Sequence, residues 1–208
     1  MPGNQAGVPA DYLSRRSGGG DVHDETRTTE LALAAGQGDQ AAAAEFVRAT
    51  QQQVWRFVAH LAGPGEADDL TQETYVRALR SLPGFAARST AITWLFVIAR
   101  RVVVDHRRTV AARPRHAALD DWQAVAEARA AGGFAVEDGV VLRHLLDALA
   151  PERREAFVAT QVLGLSYIEA AAVCDCPVGT IRSRVARARE DLIAAMADTG
   201  PGRQRRSG

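Results

Sequence analysis

The sequence predicts an all-α protein made of two small helical domains joined by a flexible linker. Alanine is abundant and aromatic residues make up only 6% of the 208 residues, a composition that favours helices over strands. Apolar residues recur at the helical period in two separate blocks. The segment between the blocks carries Pro114, Gly132 and Gly133 with balanced charge and no apolar core of its own, which is typical of a linker.

These patterns divide the chain into five parts. Residues 1–27 and 198–208 are polar, rich in glycine and arginine, and without periodicity, so we expect disordered tails there. The first helical domain is predicted over residues 28–109 and the linker over residues 110–136. The second helical domain is predicted over residues 137–197.

The first domain is predicted to contain three helices. Asp39 has the side chain of an N-cap, and the helix behind it is ended by a Gly-Pro-Gly sequence. A second helix follows over Glu66–Ser81. After a loop over residues 83–90, Thr90 is predicted to cap a third helix from Ala91 to about Arg108.

The second domain contains a helix-turn-helix pattern. Ser166 is followed three residues later by Glu169, the spacing of a capping box, and this pair opens a short helix that ends near Val173. A tight connection over residues 175–177 leads to a longer helix that ends near Met196. In such a motif the second helix lies in the major groove of DNA, with its N-terminal residues against the base edges.

The start of this last helix has the side chains that such contacts need. Arginine pairs bidentately with guanine, and other arginines suit phosphates. The residues predicted to contact DNA are Thr180, Arg182, Ser183, Arg184 and Arg187. From these residues alone, a solvated basic helix face remains the alternative.

The charge of the chain is balanced overall and uneven locally. The formal net charge is zero, which argues mildly against nucleic-acid binding, and all 25 basic residues are arginine. The arginines cluster, however, at the start of the last helix and at a second place within the first domain. This second cluster consists of Arg100, Arg101, Arg107 and Arg108.

The sequence lacks the residues that several classes of function require. Cys174 and Cys176 are too close in sequence for an ordinary disulfide, and a C-x-C pair alone does not make a zinc site, so we expect no bound metal. We expect both thiols to be reduced and to pack in the turn, with redox sensing as the open alternative. His106 beside Asp105 has no partner nucleophile, so no enzyme and no cofactor are predicted. With no signal peptide and no apolar stretch long enough for membrane insertion, the expected location is cytoplasmic.

The run from Leu149 to Leu192 resembles region 4 of the extracytoplasmic-function (ECF) sigma factors. The residues that match that family's pattern are Pro151, Arg154, Gly164, Ser166, Tyr167, Glu169, Pro177, Gly179, Thr180, Ser183, Arg184, Arg187, Ala188 and Arg189. The segments DDLTQETYVRA, from Asp68, and WLFVIAR, from Trp94, are similar to region 2 of the same family. Arg101 departs from it, since the family often has Asn there.

The resemblance implies two further sets of site residues. Four residues of one helix would dock on the clamp helices of RNA polymerase: Asp68, Asp69, Gln72 and Glu73. A second set would capture bases of the −10 promoter element and hold its backbone: Phe85, Arg88, Ser89, Thr90, Trp94, Arg100, Arg101, Arg107 and Arg108. The DNA contacts of the last helix would then be made to the −35 element.

A sigma factor is therefore the function that the resemblance implies. Its partners would be core RNA polymerase, through clamp and flap, promoter DNA, and an anti-sigma factor, often membrane-anchored in this family. Two other classes remain open. A DNA-binding regulator would use only the helix-turn-helix and would not need the DDLTQETYVRA helix, whereas a helical enzyme or adaptor would use the basic clusters as surface charge only.

Overall fold

The computed structural model describes residues 21–112, 143 and 145–199, and these residues form helices and connecting turns with no strand among them. The all-α prediction is confirmed. The elements are α1 (Asp21–Gly36), α2 (Gln40–Ala62), α3 (Pro64–Ser81), a 3₁₀ turn (Leu82–Gly84), α4 (Ala91–Ala112), α5 (Pro151–Phe157), a π-helical turn (Val158–Val162), α6 (Tyr167–Cys174) and α7 (Val178–Thr199).

The ends of the helices in the first block follow from local chemistry. The Asp39 carboxylate accepts hydrogen bonds from the backbone N–H groups of Ala41 and Ala42, so this residue is the N-cap of α2 as predicted. The Thr90 hydroxyl accepts from the backbone N–H of Thr93 at 3.3 Å and caps α4, also as predicted. Between α2 and α3 the backbone turns at Gly63, whose φ of 95° suits glycine alone.

Helix α1 corrects the prediction for the N-terminal tail. The tail was expected to reach residue 27, but α1 begins at Asp21. Its stability comes from non-local contacts: Ala32 is buried, and the Thr29 hydroxyl accepts a hydrogen bond from the backbone N–H of Ala91 at the start of α4. Gly36 lies so close to the 3₁₀ turn that a Cβ there would come within 2.6 Å of the Leu82 carbonyl oxygen. The remaining tail and most of the predicted linker lie outside the described residues.

The second block is the predicted helix-turn-helix preceded by one more helix. Both hydrogen bonds of the capping box form at α6, since the Ser166 hydroxyl accepts from the Glu169 backbone and the Glu169 carboxylate accepts from the Ser166 backbone. Asp175 ends α6 in the left-handed conformation, with φ of 51°. Ile181, Val185 and Ala188 of α7 are buried, as the helical period predicts.

The apolar side chains of both blocks form one continuous core. In the first block, α2, α3 and α4 pack on one another around Phe57 and Phe96, whose ring centroids are 5.0 Å apart. In the second block, α5 and α6 pack on α7. The two blocks meet mainly where α6 packs on α4, and α2 adds smaller contacts to α5 and to the π-helical turn. As a result, α4 contacts the second block on a face that α2 and α3 leave free.

Candidate nucleic-acid interface

The start of α7 presents two arginines to solvent. Arg182 and Arg187 are exposed, whereas Ile181 and Val185 on the opposite face are buried. Ser183 is also exposed, and its hydroxyl donates to the Thr180 carbonyl at 2.9 Å. The helix therefore offers one polar face with two extended guanidinium groups, which is the arrangement that reading a major groove needs.

Arg184 differs from the other predicted DNA contacts of α7. Its guanidinium Nη1 lies 3.5 Å from the Cys176 sulfur, within the turn that joins α6 to α7, and the residue is half-buried. The turn is further held by the backbone N–H of Cys176, which donates to the Ala171 carbonyl. Arg184 is thus placed to brace the turn, while Arg182 and Arg187 point outward.

The second predicted DNA surface lies at the start of α4 and in the loop before it. The rings of Phe85 and Trp94 pack in a tilted arrangement with centroids 5.0 Å apart, and both side chains are half-buried. Arg88 is exposed, and Ala87 before it takes the left-handed conformation with φ of 48°. A non-glycine residue in this conformation is strained, and such strain commonly occurs in loops that bind a ligand.

The four arginines predicted to hold the DNA backbone have different surroundings. Arg101 and Arg108 are exposed on α4. Arg107 donates to the carbonyl of Leu61 at the end of α2. Arg100 is paired with Glu155 of the second block: its Nε lies 3.0 Å from Glu155 Oε2, and the Glu155 side chain is only 5% exposed.

Two carboxylates of the second block form contacts with side chains of α4. Neither contact was predicted from the sequence. Besides Glu155, Glu169 accepts a hydrogen bond from the Thr93 hydroxyl at 3.3 Å while its other oxygen completes the capping box. The sequence carried a signal for Glu155. It precedes the buried Val158 and Ala159 by three and four residues, so it falls on their helical face, where an acid requires a partner.

The predicted polymerase-binding residues lie together on the outer side of α3. Asp69 and Gln72 are exposed, and Glu73 forms an ion pair with Arg77, which also pairs with Asp105 of α4 at 2.7 Å. Asp68 accepts a hydrogen bond from the indole N–H of Trp55 on α2, at 2.7 Å. Sequence reasoning did not single out Trp55, because nothing local connects residues 55 and 68.

The chemistry of the remaining candidates is limited. Burial raises the pKa of the Cys174 thiol to about 12, with Glu155 and Cys176 adding to the effect. Among the described residues, no cluster of three or more histidine, cysteine or acidic side chains is placed to hold a metal ion. Within that same part of the chain, no helix is both long and apolar enough to cross a bilayer.

Comparisons with known proteins agree with the two blocks. The family model described as Sigma-70 region 2 matches residues 46–113, and the model described as Sigma-70, region 4 matches residues 140–192. The ECF RNA polymerase sigma factor SigC of Mycobacterium tuberculosis (strain CDC 1551 / Oshkosh) is 53% identical over 172 residues, which cover 82% of this chain and 92% of that protein. The ECF RNA polymerase sigma-E factor of Escherichia coli (strain K12) is 32% identical over 168 residues, covering 75% and 87%.

Two solved structures have a similar fold. CnrH, in complex with the cytosolic domain of CnrY, superposes with a TM-score of 0.64 at 25% identity and covers 84% of this chain and 99% of that chain. The sigma factor RpoE of Bartonella quintana, in complex with the anti-sigma factor NepR, superposes with a TM-score of 0.58 at 25% identity and covers 74% and 95%. The similarity therefore extends over both blocks.

Proposed function

This chain belongs to the ECF sigma factors of the sigma-70 family, and from that premise we propose which of its surfaces carries each step of promoter recognition. The observation that carries the proposal is the exposed pair Arg182 and Arg187 at the start of a helix-turn-helix, on a chain that also has the region 2 block. In this proposal, α7 reads the −35 element. Arg182 and Arg187 contact bases or nearby phosphates, and Thr180, Ser183 and Arg184 complete the surface.

The −10 element is assigned to the loop before α4 and to α4 itself. Phe85 and Trp94 form an aromatic platform on which an unstacked base can lie, and Arg88, Ser89 and Thr90 border it. The arginines of α4 neutralise the phosphates of the opened strand. Arg101 and Arg108 are available for this in the present arrangement, whereas Arg100 and Arg107 first have to exchange their partners within the protein.

Core RNA polymerase is assigned to the outer face of α3, with Asp68, Asp69, Gln72 and Glu73, and a second contact to the flap is assigned to the region 4 block. Each domain alone is expected to bind promoter DNA weakly. Because polymerase would hold both domains at once, their affinities for the promoter combine through effective concentration. The first domain proposed for this function spans residues 21–112, because α1 begins at Asp21 and α4 ends at Ala112, and the second domain spans residues 137–199. Both similar solved structures are complexes with a second protein, and one of these is named an anti-sigma factor, which supports control of this chain by an anti-sigma factor.

The test is transcription in vitro with purified bacterial core polymerase and a fragment library of the source genome. We expect discrete new start sites that share sequence motifs about 35 and 10 bases upstream. Arg182→Ala or Arg187→Ala should reduce transcription from these promoters while binding to core polymerase survives. Arg48→Ala, which removes an exposed arginine of α2 outside the proposed surfaces, is the matched control.

Two outcomes would contradict the proposal. Absence of new transcripts, together with no complex between this chain and core polymerase in gel filtration, would exclude a sigma factor and favour a stand-alone DNA-binding regulator. Loss of polymerase binding in the α7 variants would mean that this helix contacts the polymerase and not the −35 element.

A further inference from the structure

The arginine face of α4 contains an acid. Arg101, Asp105 and Arg108 follow one another at intervals of four and three residues, so they lie on the same face of the helix, and all three are exposed. The two arginines are assigned to the DNA backbone of the −10 element. A carboxylate between them repels phosphate and attracts both guanidinium groups, so its presence on this face requires an explanation.

Asp105 is held by an arginine from another helix. The Nη1 atom of Arg77, on α3, lies 2.7 Å from Asp105 Oδ2. The Arg77 Nε donates to the Glu73 carboxylate, also at 2.7 Å, so one guanidinium joins an acid of α3 to an acid of α4. The hydrogen bond to Asp105, followed by the one to Glu73, raises the pKa of Arg77 above its usual value. Asp105 is therefore neutralised by a charge that does not come from α4.

This pairing leaves the arginines of the face available. Among the residues that the structure describes, neither Arg101 nor Arg108 forms an ion pair, although each has the sequence spacing at which it could pair with Asp105. Arg77 occupies the Asp105 carboxylate in their place. It thereby adds one positive charge to the face that phosphates would approach.

The Arg77–Asp105 contact lies within the first block. Helices α3 and α4 pack directly on each other, and both residues of the pair belong to them. The pair therefore does not depend on the contact between the two blocks, and it can form in any arrangement of the blocks that binds DNA.

We propose that Arg77 is a positioning residue for the −10 contact, which cancels the charge of Asp105 on the DNA-binding face of α4 and so leaves Arg101 and Arg108 free for phosphates. The inference rests on the proposed function, because it adds a residue of α3 to the −10 surface assigned to α4. It also joins two proposed sites, since Arg77 pairs with Glu73, which is assigned to the polymerase contact.

The experiment measures binding of holoenzyme, formed from core polymerase and each full-length variant, to a fluorescent single-stranded oligonucleotide with the −10 motif that start-site mapping identifies. Arg77→Gln should weaken this binding about five- to tenfold, because Asp105 then keeps its charge without a partner. Arg77→Gln combined with Asp105→Asn should bind within about twofold of wild type, because both charges are gone. Arg80→Gln is the matched control: it removes an exposed arginine from the last turn of α3 and should change binding less than about twofold.

Two further measurements separate positioning from general damage. Each variant should compete with labelled wild-type protein for core polymerase within about threefold of wild type, since the Arg77 side chain is 40% exposed and loss of its pairs disturbs the fold little. The slope of log affinity for the oligonucleotide against log salt should become shallower by about 0.7 in Arg77→Gln, the change expected for one phosphate contact on a single strand. In the double variant the slope should return to the wild-type value.

The outcomes distinguish this inference from the function on which it rests. If wild-type protein forms no holoenzyme, or its holoenzyme does not bind the oligonucleotide, the proposed function is wrong. If wild type binds and Arg77→Gln behaves like Arg80→Gln, the function stands and the inference is wrong. If the loss in Arg77→Gln is not restored by Asp105→Asn, Arg77 does not act through Asp105. Loss of polymerase affinity alone in Arg77→Gln would assign Arg77 to the polymerase contact through Glu73.

Discussion

Arg100 of α4 and Glu155 of α5 form an ion pair across the boundary between the two blocks, with 3.0 Å between Nε and Oε2. The Glu155 side chain is 5% exposed and the Arg100 side chain 23%. Arg100 is also proposed to hold the DNA backbone of the −10 element. In this position the Arg100 guanidinium does not bind the buried Glu155 carboxylate and a DNA phosphate together. DNA binding by Arg100 therefore requires the Arg100–Glu155 ion pair to open.

Glu155→Ala should therefore favour the open arrangement. Removing Glu155 leaves the partly exposed Arg100 without its counter-charge, at a cost of about 1–2 kcal/mol, or roughly tenfold in the ratio of closed to open molecules. Small-angle X-ray scattering of the free protein should show a larger radius of gyration than wild type. Binding to a single-stranded −10 oligonucleotide should become stronger, because Arg100 is released.

The matched control for this prediction is Asp191→Ala. It breaks the ion pair between Arg153 of α5 and Asp191 of α7, which lies within the second block and is about one-third exposed. This variant should lose less than about 1 kcal/mol and should leave the radius of gyration unchanged. An equal expansion in both variants would show that general destabilisation, and not the Arg100 pair, separates the blocks.

Local signals in the sequence were sufficient for most of the fold. The N-cap at Asp39, the capping box at Ser166 and the buried face of α7 each depend on residues within a few positions of one another, and the structure confirms all three. The helical period and the breakers then follow from the same short-range rules. The resemblance to the ECF sigma factors is confirmed by sigma-70 family models that match both blocks and by an ECF sigma factor that is 53% identical over 82% of this chain.

Contacts between distant residues could not be predicted in the same way. The sequence predicts a tail over the first turns of α1, because the hydrogen bond that supports this helix, from the Ala91 backbone to Thr29, joins positions 62 residues apart. The Trp55–Asp68 bond and the Arg100–Glu155 pair likewise depend on how helices pack. A family pattern states which residue types recur, but it does not state which of their side chains already form hydrogen bonds or ion pairs within the free protein.

The loop before α4 should respond to relief of backbone strain at Ala87. The left-handed conformation costs about 1–2 kcal/mol for a residue with a Cβ, and glycine avoids this cost but adds about 0.5–1 kcal/mol of chain entropy to the unfolded state. Ala87→Gly should therefore raise the free energy of unfolding by about 0.5 kcal/mol in urea denaturation. Ala86→Gly, next to it with no positive φ, should lower the free energy by a similar amount. Destabilisation by both glycines would mean that the loop carries no strain at Ala87.

His60 of α2 should make the stability of the protein depend on pH. Burial, followed by the charges of Arg56 and Arg143, lowers the pKa of His60 from 6.5. As the pH falls below 6.5, the unfolded chain binds more protons than the folded protein, because the pKa of His60 is lower in the folded state. The stability that the protein has with neutral His60 is therefore complete above that pH and is lost as the pH falls below it. The melting temperature should fall more between pH 7.5 and 5.5 for wild type than for His60→Gln. Equal falls in the two proteins would contradict this role.

The two cysteines of the helix-turn-helix should differ in reactivity. The Cys174 thiol is buried, and its pKa of about 12 keeps it protonated at pH 8, whereas Cys176 is half-buried in the turn beside Arg184. The thiolate is the reactive form, so iodoacetamide should modify Cys176 at least about a hundred times faster than Cys174 in the native protein. Mass spectrometry of tryptic peptides measures both rates. In Cys176→Ser, alkylation should be slow until urea unfolds the chain, and rapid modification of Cys174 in that variant would show that the core around α6 opens in the native state.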